Sequence, residues 1–154
     1  MQCPYCKADD DRVVDSRVIG AGSSIRRRRE CLDCHKRFTT YERIERAPRI
    51  VRKKDLRREF FSREKILAGL VKACEKRAIA PEVLETTLDR IETEIFEESE
   101  GEVDSRSIGE KVSKHLRELD PVAFVRFASV YREYSNVEQF LQEVQKLERF
   151  QVHS

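Results

Sequence analysis

Cys3-Pro4-Tyr5-Cys6 and Cys31-Leu32-Asp33-Cys34 decide the first part of the fold. Each CxxC turn holds two thiolates on one side of a tight knuckle. Two knuckles together supply the tetrahedral sulfur set that zinc favours, at about 2.3 Å per Zn–S bond. The stretch between the pairs exceeds the roughly 15–20 residues usual for this pattern, and a β-hairpin absorbs the excess. Thiol exchange calls for one CxxC at a helix start after a strand, so two pairs favour a metal. With cysteine at all four positions the site reads as closed and structural, because a catalytic zinc keeps one position for water. The fifth cysteine, Cys74, lies in a helical apolar pattern and reads as core; His35, beside Cys34, reads as a surface residue.

Working outward, Arg12 to Arg17 reads as a strand and Gly20-Ala21-Gly22-Ser23-Ser24 as the turn that reverses the chain. Ile25 to Glu30 returns as a second strand, and Arg37-Phe38-Thr39-Thr40-Tyr41, rich in β-branched and aromatic residues, forms a third. The result is a three-stranded zinc ribbon, too small to fold by apolar burial alone, so the metal supplies much of its stability. The second strand carries Arg26-Arg27-Arg28-Arg29, which a side-chain period of two splits into Arg26 and Arg28 on one face, Arg27 and Arg29 on the other. With Arg17, Lys36 and Arg37 nearby, these guanidinium groups suit phosphate or guanine contacts and mark the candidate nucleic-acid surface. A single ribbon of this kind binds weakly, so specific binding needs several copies in one assembly.

Composition narrows the rest. In 154 residues, 39% are hydrophobic and 39% charged, which allows a modest core plus one small stapled module and leaves no room for most multidomain enzymes. Lys+Arg 31 against Asp+Glu 29 leaves a net charge of +2, so the distribution of charge, not its total, carries any case for nucleic acid. No apolar run approaches the roughly 18 residues of a membrane span. A CxxC stands where a signal peptide would have its hydrophobic run, so a soluble, cytoplasmic protein is expected.

A second module begins near Ala47-Pro48. Arg49 to Lys54 alternates into a short basic strand, and Asp55 to Glu59 reads as a turn. Ser62 caps a helix with Ile66, Leu67, Leu70, Val71 and Cys74 at helical spacing. Pro81 opens another helix through Leu84, Leu88, Ile91 and Ile95, ending in the acidic run 97–101, which reads as a solvated end. Asp104 or Ser105 caps a third through Ile108, Val112, Leu116 and Leu119, and Asp120-Pro121 starts a fourth with Val125, Ala128 and Tyr131 toward the core. Asn136 caps a last helix with an apolar stripe at Val137, Phe140, Leu141, Val144 and Leu147, a face suited to self-association. The fold class is therefore α+β, with domains at 1–46, 47–136 and a C-terminal helix and tail at 137–154.

Basic residues gather at Arg49, Arg52, Lys53, Lys54, Arg57 and Arg58 and continue through Arg63, Lys65 and Lys72. Lys65, Gly69 and Lys72 form one helical stripe on which a triphosphate could lie, with an exposed basic face as the plainer reading. There is no GxxxxGK[ST] motif, and His115 and His153 are isolated and read as surface residues, so no catalytic grouping is expected.

Taken together, Cys3-Pro4-Tyr5-Cys6, Val14-Asp15-Ser16-Arg17, Ser24 to Cys31, Cys34 and Arg37 to Glu42 resemble the bacterial NrdR family of transcriptional repressors of ribonucleotide reductase genes. Val51-Arg52-Lys53-Lys54-Asp55 is similar to the opening of an ATP-cone, and Val125 to Arg132 to that family's C-terminal signature. The resemblance implies a zinc ribbon that binds operator DNA and a mainly helical ATP-cone that binds ATP or dATP, with Mg2+, as allosteric ligands. It implies one structural Zn2+ per chain, held by Cys3, Cys6, Cys31 and Cys34. It implies that Val51, Lys53 and Lys54 meet base and phosphates, and that Glu59, Phe61, Ser62, Lys65, Gly69, Lys72 and Tyr131 complete the pocket. It implies no enzymatic activity, a bacterial cytoplasmic protein found at the nucleoid when bound to DNA, and a homo-oligomer whose stoichiometry follows the nucleotide. Lys54 and Leu56 stand where many ATP-cones have Arg and Gly, and Lys7 where a Gly often follows the first knuckle. Two other classes remain open at this point: a regulatory piece of a reductase, and an RNA-binding zinc-ribbon protein.

Overall fold

Nine residues that combine charged side chains with Val13, Val14, Val18 and Ile19, Asp11–Ile19, form strand β1, and a short 3-10 turn at Gly20–Gly22 reverses the chain into β2, Ser24–Cys31. Gly20 and Gly22 both have positive φ, which is why glycine suits this reversal. β3, Arg37–Arg43, follows the second knuckle and completes an antiparallel sheet of order β1-β2-β3. A register shift between Val13 and Asp15 marks a β-bulge in β1. In this computed structural model, residues 1–98, 101–132 and 134–151 are described, the side chains at 21, 146 and 148–151 excepted. The acidic run 97–101 lies partly, and His153 wholly, outside the described residues.

The chain divides into two compact units, Met1–Ala47 and Pro48–Ser154. The second opens with strands β4, Ile50–Arg52, and β5, Arg58–Phe60. The segment 55–59 is therefore only partly a turn: Lys53 N–H donates to Arg57 O at 2.8 Å, Leu56 N–H to Lys53 O at 2.9 Å, and the chain returns as β5 beside β4. Leu56 takes the left-handed conformation in this turn, with φ of 65°, and leaves its side chain exposed. On the other side of β4 lies a strand that no sequence pattern announces, β6, Glu102–Asp104, which pairs in parallel and gives the order β5-β4-β6.

Five helices build the rest: α1 Arg63–Ala73, α2 Pro81–Glu98, α3 Ser105–Leu119, α4 Pro121–Tyr131 and α5 Val137–Gln151. The expected caps are present. Ser62 Oγ accepts Lys65 N–H, Asp104 accepts Arg106 N–H, Asp120 accepts Ala123 N–H and Asn136 accepts Gln139 N–H. One apolar cluster joins Leu70 and Cys74 of the α1 end, Leu88, Ile91 and Ile95 of α2, Val103 of β6, Leu116 of α3 and Phe124 of α4. Two expected core positions differ. Val71 is exposed, and Phe124, one turn from Ala128, is the fully buried aromatic of α4, whereas Tyr131 is only half-buried. His115 is buried against Glu94, its Nε2 2.9 Å from Oε1, and is not a surface histidine.

Candidate functional site

The two knuckles are built alike. Cys3 N–H donates to Ala8 O and Lys7 N–H to Cys3 O; Cys31 N–H donates to Lys36 O and His35 N–H to Cys31 O. Lys7 and His35, each following the second cysteine of its pair, have φ of 67° and 57°, the left-handed conformation that closes the turn. The four Sγ atoms lie within 4.8 Å of one another, with Cys3–Cys34 at 3.7 Å and Cys6–Cys31 at 3.6 Å. A tetrahedron with bonds of about 2.3 Å has edges of about 3.8 Å, so the sulfur set fits Zn2+. Burial disfavours a Cys3 thiolate, but hydrogen bonds from the backbone of Cys6 and Tyr5 outweigh it and bring the thiol to about 6. Cys6 accepts from the Ala8 backbone, yet desolvation and the other sulfurs push it up to about 12. Four thiolates cannot sit together without a cation, and a dication supplies the missing charge.

The candidate DNA-contact residues divide. Arg29 pairs with Asp11 at 2.7 Å and donates to Thr40 Oγ1, and Arg27 pairs with Glu42 at 3.2 Å. Arg17 and Arg26 share Asp15 at 3.0 and 3.9 Å, and Arg37 pairs with Glu30 at 2.9 Å. Lys36 lies over the Tyr5 ring. Arg28 is exposed, and its guanidinium makes no ion pair or hydrogen bond among the described residues.

In the second unit a cavity of about 490 Å³ opens between the β4–β5 turn and helices α1, α3 and α4. Val51, Lys53, Lys54, Glu59, Phe61, Ser62, Lys65, Gly69 and Tyr131 all line it, while Lys72 lines an adjoining cavity of about 440 Å³. Glu59 accepts from both Lys53 Nζ, at 2.9 Å, and Lys65 Nζ, at 3.0 Å, and these bonds hold its carboxyl below the usual range. Lys54 Nζ stands 5.9 Å from the centroid of Tyr131, whose ring stacks on Phe127 and whose hydroxyl donates to Arg106 O at 2.8 Å. The far wall is apolar or small: Ile108, Gly109 and Val112 come from α3, which no motif marked, and Val130 from α4, inside the Val125 to Arg132 stretch. A glycine inside an amphipathic helix was the available signal for Gly109. Arg63 does not join the cavity; Glu85, Asp89 and Glu92 of α2 hold it at 2.9, 2.6 and 2.7 Å.

Residues 1–42 match the family model "Transcriptional repressor NrdR-like, N-terminal domain", and residues 49–137 match the ATP cone domain. Over 147 residues, 96% of this chain, it is 55% identical to a protein of Pelobacter propionicus named transcriptional repressor NrdR, covering 98% of that protein. Bearers of the same name from Caldicellulosiruptor saccharolyticus and Pelotomaculum thermopropionicum are 50% and 54% identical over the same share, covering 96% and 89% of those proteins. The chain belongs to the NrdR family. Its four-cysteine cluster is thus the metal centre of an NrdR zinc ribbon, and its lysine-lined cavity lies in an ATP-cone. The NrdR relatives carry a regulator's name and not an enzyme's. Among the described residues no helix is long and apolar enough to cross a membrane.

Proposed function

We propose that this chain is a nucleotide-responsive repressor that binds operator DNA of ribonucleotide reductase genes through its zinc ribbon, with ATP or dATP in the cone setting oligomeric state and DNA affinity. The observation that carries the reading is the cavity's division of labour. Lys53, Lys54 and Lys65 crowd one side, and Val51, Phe61, Ile108 and Phe127 offer apolar surface for a base and ribose. Triphosphate oxygens would take over the lysine contacts that Glu59 now satisfies, with Mg2+ neutralising the remaining charge. Cys3, Cys6, Cys31 and Cys34 would hold one structural Zn2+.

A nucleotide moves an assembly equilibrium only by its difference in affinity for the two assemblies. ATP and dATP differ by one hydroxyl, so the pocket or a subunit contact must read the ribose 2′ position. The assembly that spaces several ribbons to match repeated DNA sites gains affinity by raising the effective concentration of each further ribbon. High dATP would then turn the reductase genes off. Light scattering of the zinc-loaded protein, alone and with saturating ATP or dATP, tests this. Distinct particle masses with the two nucleotides are expected, with one species alone binding the promoter tightly. Identical masses and identical promoter affinity would refute the switch.

A further inference from the structure

The three-stranded sheet of the ribbon has two faces of different charge, and its register assigns each residue to one of them. Opposed residues of an antiparallel pair share a face, and neighbours along a strand alternate. The face of Arg28 carries Arg12, Arg17, Arg26, Arg37 and Arg43, together with Asp15 and Glu30, so six arginines there meet two carboxylates. The opposite face carries Arg27, Arg29, Asp11 and Glu42 among Val13, Val18, Ile25 and Phe38, so its formal charges cancel. The bulge in β1 creates the asymmetry. Arg12 and Arg17 have opposite parity in an unbroken strand, and the register shift between Val13 and Asp15 places both on the Arg28 side.

Ion pairing sharpens the contrast. Each arginine of the neutral face is paired with a carboxylate of its own, Arg29 to Asp11 and Arg27 to Glu42. On the basic face, Glu30 is shared between Arg12 and Arg37, and Asp15 between Arg17 and Arg26, so each carboxylate leaves an excess of cation around it. Arg28 stands between these two groups on the middle strand, exposed and with its guanidinium uncommitted among the described residues. A polyanion gains counterion release only from cations in excess, and a neutral surface offers none.

We propose that the ribbon meets duplex DNA with the Arg28 face, that Arg28 is its central contact, and that Arg27 and Arg29 hold the sheet together without touching DNA. This rests on the reading of the ribbon as a DNA-binding module. The ligand chemistry is the phosphate backbone with guanine edges in reach of an unpaired guanidinium.

The test uses full-length, zinc-loaded protein and a labelled duplex of the promoter ahead of the host's ribonucleotide reductase genes, titrated over a salt series with each nucleotide. Arg28→Ala is expected to weaken binding about tenfold or more and to reduce the salt slope by about one. Arg27→Ala is expected to stay within about twofold of the parent with the slope unchanged. Among the described residues Arg28 makes no side-chain bond to lose, so its variant keeps zinc content and fold, and a zinc assay on each variant verifies this. Equal losses in the two variants, or a loss confined to Arg27→Ala, would overturn the face assignment while leaving DNA binding intact. Absence of binding by the parent protein in every nucleotide state would instead overturn the DNA-binding reading itself.

Discussion

The ring of Tyr131 rests directly on Gly109: a Cβ added to the glycine would overlap the ring carbons and the hydroxyl. Both residues line the cavity of the cone, and the tyrosine hydroxyl is fixed by Arg106 O. Burial raises the phenol's pKa, so it remains a donor across the neutral range. Gly109→Ala must therefore displace Tyr131, which its stack on Phe127 and its hydrogen bond resist. The expected cost is about 1–3 kcal/mol of stability, typical of overpacking, together with weaker ATP binding. Urea unfolding and calorimetric titration of the variant measure the two effects, and unchanged values in both would show that the contact is not a constraint.

Lys53 is positioned by Glu59 and points its ammonium into the cavity mouth. If it meets phosphate, Lys53→Ala removes a charge-assisted hydrogen bond of about 1.5–3 kcal/mol, or roughly a 10- to 100-fold loss in nucleotide affinity. Both lysine and glutamate are part-exposed, so the fold should be spared. An unchanged dATP isotherm would place the nucleotide elsewhere.

Cys31→Ser takes one sulfur from a set that has no spare ligand. The ribbon should lose zinc and, with it, much of its folding free energy and its affinity for DNA. The apolar cluster of the cone contains no residue of the ribbon, so its helices should remain. Zinc content, helical circular dichroism and promoter binding separate these outcomes, and retained metal with four-coordinate spectroscopy would contradict the assignment.

Much of this architecture was legible because its signals are local. Two CxxC pairs, four helix caps and the apolar spacing of α2 and α3 are each written in short stretches of chain, and each appears where the pattern places it. β6 was not legible: three residues leave no periodicity to read, and its partner β4 lies far away along the chain. The lysine wall of the cavity was visible as a basic run and Tyr131 of α4 through the resemblance, whereas the α3 wall depends on tertiary packing alone. Arg63 shows the converse limit: it belongs to the basic run that continues onto α1, and a local charge count contains no record of the α2 carboxylates that hold it. His115 was misplaced for the same reason, its partner Glu94 lying on another helix.

Asp120 caps α4 through Ala123 N–H and accepts from Arg77 Nε at 2.8 Å. Desolvation works against its charge, but these bonds outweigh it and set the carboxyl below the usual range. Asp104, which caps α3 and pairs with Arg52, is likewise depressed, first by the Arg106 backbone. A folded pKa below the unfolded one contributes stability that is complete above the unfolded value, about 3.9, and disappears as pH falls through the folded value. Stability should therefore be level toward neutrality and decline in that acid window. Asp120→Asn, which keeps an acceptor but no charge, should be less stable near neutrality and decline less steeply; parallel acid curves would remove Asp120 from the account.

Arg63 presents the sharpest stability test. Its side chain is only 15% exposed, and that of Asp89, its nearest partner, 2%. Burial alone would lower the pKa of the guanidinium, but Asp89, Glu92 and Glu85 more than offset this and keep it charged. The pairing ties the start of α1 to successive turns of α2, at Glu85, Asp89 and Glu92. Arg63→Ala takes from these three carboxylates the guanidinium they share, a loss of the kind that costs about 3–5 kcal/mol when a buried pair is broken from one side. Arg63→Lys restores the charge but cannot reach all of these acceptors with a planar fork, so it should fall between the parent and the alanine variant. Urea unfolding of the parent and both variants gives the order directly, and an alanine variant within about 1 kcal/mol of the parent would show that the α2 acids relax into solvent.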